Sequence, residues 1–323
     1  MSSAEAPGSN QNAKRSEGPR RDGWWRGRGC VIALLLASVF GASGALAAPA
    51  DAAARAECST VPSKILGRSV PYCILLPPSY ESNSSRRYPI LYFLHGLHEN
   101  AQILLNSGGW DLIQDLWSEH RIGEYLIVTP SADDSFYINS LNGRSQYQSF
   151  FIREFLPYIE RRYRVRAERR ERGIGGISMG GYGALRFAFL YPQLFEAVSA
   201  HSPALIEEQN VRLSSPVAAE VTEFVGTAFG SPFDREYWNR ESPFTIVKTH
   251  PRPLGLKVYV DCGLEDSFGF EHGAEKFHQL LDSRGIPNEF HLYPGAHDWA
   301  YFAQHLPASL EFQSRAFGLS TGK

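Results

Sequence analysis

Residues 172–189 read RGIGGISMGGYGALRFAF, and two incompatible periodicities meet there at Ser178. Before the serine, small and β-branched residues have a strand-like pattern. After it, helix formers with apolar spacing run on to Pro192, which ends the helix. A strand that turns into a helix at one residue brings two backbones close together, and glycines stand on both sides of the corner where side chains would not fit. Such a corner either holds its serine as an unusual turn residue or presents it as a nucleophile.

The rest of the chain continues the alternation. From Thr60 onward, strand and helix signals follow one another with no internal repeat and no long low-complexity linker. YPILYFLHG (88–96), EYLIVTP (124–130), FEAVSAHSP (195–203), GLKVYVDCG (255–263) and EFHLYPG (289–295) read as strands. WDLIQDLWSEH (110–120), EHGAEKFHQLLDSRG (271–285) and DWAYFAQHLPASLEFQSRAF (298–317) read as helices, and FFIREFLPYIERRY (150–163) as a helix kinked at Pro157. Strands separated by helices predict an α/β fold, with a mostly parallel central sheet and helices on both faces. The region of about 204–253 carries only short helical pieces and is expected to be variable and pocket-shaping.

The first fifty residues are different material. A long polar and basic stretch precedes VIALLLASVFGASGALAA (31–48), an apolar run ending in small residues. This pattern predicts a secretory leader over 1–50, cut after Ala47 or Ala50, and a single catalytic domain over 51–323. An uncleaved signal anchor is the alternative, since about 18 residues barely cross a bilayer. Arg20-Arg21 match a twin-arginine signal poorly, and Cys30 precedes the apolar run where a lipoprotein cysteine would end it. Export to the cell envelope or beyond is the expectation, with membrane contact only through the leader.

With 43% hydrophobic residues in a chain of 323, a large buried core is affordable, and the net charge of −2 offers no footprint for nucleic acid. The one basic run, RRYRVRAERRER (161–172), contains glutamates and lies between a helix and a strand, so it reads as a solvated connection. ECSTVPSKILGRSVPYCILLPPSY (57–80) reads as an antiparallel N-terminal hairpin turning near Leu66-Gly67. Cys58 and Cys73 fall nearly opposite each other in it, and export permits a disulfide between them. Cys262, inside VYVDCG, reads as a small buried hydrophobe.

In such a sheet, functional residues gather at the carboxyl ends of the strands. Three strands end in reactive types: Ser178, the acids from Asp261 to Asp266, and His297. Their order in the chain, serine then acid then histidine, is that of α/β-hydrolases, and GISMG (176–180) fits G-x-S-x-G. His297 would take the hydroxyl proton of Ser178, and a carboxylate would hold the imidazole in the correct tautomer. Asp266, in the loop GLEDS, is the preferred acid, with Glu265 and Asp261 as alternatives; Asp298 reads as a helix cap. The oxyanion requires main-chain donors, and the N–H groups of Met179 and of Leu97, after His-Gly, occupy the expected positions.

Taken together, YFLHGLHEN, REFLPYIERRYRV, GIGGISMGGYGALRFAFLYPQLFEAVSAHSPAL, YVDCGLEDS and YPGAHDW resemble the esterase family of α/β-hydrolases. That family contains esterase D, feruloyl and acetyl-xylan esterases, tributyrin esterases and the secreted mycolyltransferases. The resemblance covers most of Thr60 to Phe317 and carries the family's acid onto Asp266. It implies a serine carboxylic-ester hydrolase that works through an acyl-enzyme without a cofactor, on small acyl, feruloyl or acetyl esters that are small molecules or linked to carbohydrate. Acyl transfer by the same triad, or a non-catalytic binding relative, are the alternatives. The chain departs from the family pattern at SADDSFYINS (131–140) and across 204–253. His95 and His98 have loose metal-ligand spacing but no acidic or cysteine cluster beside them, so no metal is expected. Trp110 and Trp299 suit either a pocket wall or helix packing.

Overall fold

The computed structural model describes residues 53–206 and 225–320. The expected leader, with Arg20, Arg21 and Cys30, and part of the expected pocket-shaping region (207–224) lie outside them. The chain opens with β1 (Arg55–Ser63) and β2 (Arg68–Leu76), joined by a turn at Gly67, whose φ of +66° suits glycine. Cys58 stands directly opposite Cys73 in this antiparallel pair, and the two form a disulfide.

The remaining strands are β3 (Ile90–Leu94), β4 (Leu126–Pro130), β5 (Arg172–Ile177), β6 (Ala197–His201), β7 (Lys257–Gly263) and β8 (Asn288–Tyr293). They form one eight-stranded sheet in the order β1-β2-β4-β3-β5-β6-β7-β8. β3 to β8 are parallel to their neighbours, and β2 meets β4 antiparallel, so the hairpin closes one edge. β3, β4, β5 and β6 are buried at every residue, which is why, apart from Arg172 and His201 at strand ends, their sequences are apolar or small instead of alternating.

The two faces of these strands build two main cores, with a small third cluster of Ala197, Tyr259, Phe312 and Ala316. Ile90, Tyr92 and Leu94 point into the larger one with Phe151, Phe155 and Phe187, from helices that cover one face. Leu91 and Phe93 point the other way, against Ile113 and Leu116 of the helix Gly109–Ser118 and Leu306 and Leu310 of the helix Trp299–Ala316. Each such side chain contributes about 1.5–3 kcal/mol when fully buried.

Two expectations needed revision in detail. The helix at Pro157 is accommodated by a π segment, Phe151–Phe155, between the α-helical pieces Tyr147–Phe150 and Leu156–Arg162. Proline lacks an N–H and its ring crowds the carbonyl four residues back, so local widening there avoids a clash. The basic run is not solvated at its end: Arg172 is buried, pairs with Glu160 at 2.7 Å and donates to Leu194 O. Arg169 likewise donates to Pro192 O and pairs with Glu196. Within 225–253 the chain forms short helices, including Arg235–Glu241, where Asp234 accepts the Tyr237 N–H, and Pro243–Thr249, which has proline in its first turn.

Candidate active site

Ser178 follows the last residue of β5 and precedes the helix Met179–Leu190, with φ 54° and ψ −118°. A residue other than glycine in that conformation is strained and must be held by its surroundings. Its N–H donates to His201 O (2.9 Å), and its carbonyl accepts from Tyr182 (3.0 Å) and Ala204 (3.1 Å). The flanking glycines are required by close approach. A Cβ at Gly176 would lie 2.5 Å from Leu94 O, and one at Gly180 would lie 2.0 Å from the same atom. The end of β3 therefore packs directly on the backbone of the elbow.

The loops after β7 and β8 bring two more groups to the serine. His297 Nε2 accepts from Ser178 Oγ at 3.0 Å, and His297 Nδ1–H donates to Asp266 Oδ2 at 2.7 Å. Burial pushes the Asp266 carboxyl up. The hydrogen bond and charge of His297, with the N–H groups of Phe268 and Phe270, outweigh that and hold it below the usual range. The imidazole is enclosed edge-on by Phe268, Phe270 and Phe302, with ring centroids 4.9, 5.3 and 5.4 Å away. Cys262 is buried, its thiol pushed up by burial, and its Sγ–H donates to Asp266 Oδ2 at 3.6 Å. The sequence offered no signal for these aromatic and thiol neighbours, because only the loop conformations bring them together.

The other acids are occupied elsewhere. Asp261, within β7, accepts from Tyr301 OH (2.9 Å) and lies 2.8 Å from His201 Nδ1. His201 Nε2 in turn meets Ser309 Oγ at 2.7 Å. This second Asp–His–Ser chain is at most 1% exposed at every member, so no substrate reaches it. Glu265 accepts the Gly295 N–H and so ties the acid loop to the histidine loop. Asp298 caps the last helix by accepting from Tyr301 N at 2.9 Å.

Gly96 and Leu97 lie in the turn after β3. A Cβ built on Gly96 would stand 3.6 Å from Ser178 Cβ, so this turn adjoins the serine. Met179 is the first residue of its helix, where N–H groups have no intrahelical acceptor and the helix dipole is positive. Buried His95 uses both nitrogens, Nδ1–H donating to Gly96 O (2.7 Å) and Nε2 accepting from Ala132 N (2.9 Å). Burial lowers its pKa and keeps it neutral. His98 pairs with Asp134 at 3.3 Å. Among the described residues no group of three or more His, Cys, Asp or Glu is placed to hold a metal ion. Trp110 and Trp299 are partly buried at the rim of the smaller core, against Trp117 and Phe302.

Residues 63–312 match the family model named Esterase, described as "Putative esterase". The chain belongs to this esterase family. Among its relatives is Esterase MT1326 of Mycobacterium tuberculosis (strain CDC 1551 / Oshkosh), 30% identical over 254 residues, or 69% of this chain and 51% of that one. The chain thus spans about half the length of that relative. The acetyl esterase of Caldicellulosiruptor saccharolyticus is 25% identical over 78% of this chain and 96% of its own. A solved ferulic acid esterase is 29% identical, with a TM-score of 0.71 over 82% of this chain and 99% of that one. In this family member the serine–histidine–aspartate chain is an arrangement of serine-hydrolase type.

Proposed function

We propose that the protein is an exported serine carboxylic-ester hydrolase. The observation that carries this reading is the continuous chain from Ser178 Oγ through His297 to Asp266, with links of 3.0 and 2.7 Å, on a strained elbow. Ionised Asp266 holds the Nδ1 proton, so Nε2 presents its lone pair to the serine. Ser178 Oγ attacks the ester carbonyl as His297 takes its proton. The N–H groups of Leu97 and Met179 receive the charge that develops on the carbonyl oxygen. The tetrahedral intermediate collapses, His297 gives its proton to the departing alcohol, and an acyl-enzyme remains. Water, deprotonated by His297, then releases the acid and restores the serine.

The names of two relatives, an acetyl esterase and a ferulic acid esterase, favour small acyl, acetyl or feruloyl esters as substrates. Export rests on the pattern of residues 1–50. Assays on p-nitrophenyl esters from acetate to octanoate, with methyl ferulate alongside, test the reading. Ser178→Ala is expected to lower kcat by about 10⁴–10⁶-fold. A variant as active as the parent, or a folded parent inert on every ester, would sink it. Acyl transfer would show itself if an added alcohol diverted most product from free acid to new ester.

A further inference from the structure

Three successive amides lie in the turn after β3, and they are used unequally. Gly96 N–H donates to Glu99 Oε2 at 2.6 Å, and His98 N–H donates to Asp134 Oδ1 at 3.0 Å. Between them, Leu97 N–H donates to no group among the described residues. Glu99 is half-buried beside the nucleophile: a Cβ built on Gly96 would stand 3.0 Å from Glu99 Oε2 and 3.6 Å from Ser178 Cβ. Burial pushes the Glu99 carboxyl up, while the Gly96 N–H and the charge of His297 pull it back towards the ionised form.

Asp134 belongs to the loop 131–140. Asp133, Phe136 and Tyr137 all have positive φ there, at 45°, 50° and 58°. Such residues persist only where contacts hold them: Asp133 pairs with Arg68 and Phe136 packs on Tyr182, Phe229 and Trp238, while Tyr137 and its neighbours in the loop reach the turn. Tyr137 OH donates to His95 O (2.9 Å), Ala132 N–H to His95 Nε2 (2.9 Å), and Ala101 N–H to Ser131 Oγ (3.1 Å).

We infer that Glu99 and Asp134 are positioning residues of the oxyanion turn: by taking the amides on either side, they leave Leu97 N–H for the oxyanion. A turn fixed in this way loses little on reorganising as charge develops, which is where such donors gain their effect. The inference rests on the reading of Ser178 as the nucleophile.

The test compares Glu99→Ala with Glu99→Gln, and Asp134→Ala with Asp134→Asn. The alanine variants are expected to lower kcat about 10- to 100-fold with KM within about threefold, since full loss of a donor costs about 10²–10³. The amide variants keep a side-chain oxygen that accepts the same N–H and should retain kcat within about fivefold. A boronic acid that forms a tetrahedral adduct on the serine should lose affinity in parallel with kcat. Glu99→Ala with parental kcat would overturn the inference. So would Glu99→Gln as impaired as Glu99→Ala, which would mean that Glu99 acts by charge on His297. If Glu99→Ala does not fold, the Asp134 pair carries the same comparison. Labelling with a fluorophosphonate separates the two readings. A parent unlabelled at Ser178 defeats the nucleophile assignment, whereas full labelling of parent and Glu99→Ala with equal kcat defeats only the positioning role.

Discussion

At the scale of single residues, the site turns on which carboxylate reaches His297. Asp261, Glu265 and Asp266 lie within six positions of one another, yet only Asp266 meets the imidazole. Asp261 is within the β7 strand and its side chain is taken by Tyr301 and His201, while Glu265 holds the Gly295 N–H. Asp266→Asn should lower kcat by about 10³–10⁴-fold, because an amide leaves the imidazole in the wrong tautomer; steady-state kinetics on a p-nitrophenyl ester measure this. The same residue gives a pH dependence of stability. Its folded pKa is depressed, so its contribution is complete above the ordinary aspartate pKa of about 3.9 and is lost as pH falls through the lower folded value. Urea midpoints of parent and Asp266→Asn should therefore differ at pH 7 and converge towards pH 3. A gap unchanged between the two pH values would show that ionisation of Asp266 does not stabilise the fold.

At the scale of elements, the elbow and the hairpin were legible because their causes are local. Gly176 and Gly180 betray a corner where Leu94 O leaves no space for a Cβ, and Gly67 marks a turn that needs positive φ. Register in a hairpin follows from its turn, so Cys58 and Cys73 fell opposite each other on the page as they do in space. The disulfide closes a separation of 15 residues, and its removal in Cys58→Ser/Cys73→Ser should cost about 3 kcal/mol in denaturant unfolding. Equal stability of the reduced-type variant would show that the hairpin is held by its sheet contacts alone. The π segment at Phe151–Phe155 was not legible, since apolar spacing does not distinguish a widened turn from a kink at Pro157. Nor was burial of Arg172, which depends on Glu160 and Leu194 O arriving from other segments.

At the scale of the molecule, one sheet separates two main cores and places five strand ends, those of β3, β5, β6, β7 and β8, around the serine. No helix among the described residues is long and apolar enough to cross a membrane. The proposed export makes a separate prediction for the N-terminus: mass and N-terminal sequence of the protein from its native host should begin at Ala48 or Asp51. Retention of residues 1–47 on a membrane-associated protein would favour the anchor instead. Strand and helix periods, the glycine corner, the facing cysteines and the order serine–acid–histidine can all be read along the chain, because each depends on neighbours a few residues apart or on strand ends that the sheet must align. The loop position of Asp266 already favoured it as the acid, but tertiary packing alone engaged Asp261 elsewhere, sealed His201 and Ser309 away from solvent, enclosed His297 in phenylalanines and set Glu99 and Asp134 on either side of Leu97. Those outcomes depend on where loop side chains point once the chain is folded, and neither the long-range contacts nor short ones such as Glu99 to Gly96 leave a periodic trace in the chain.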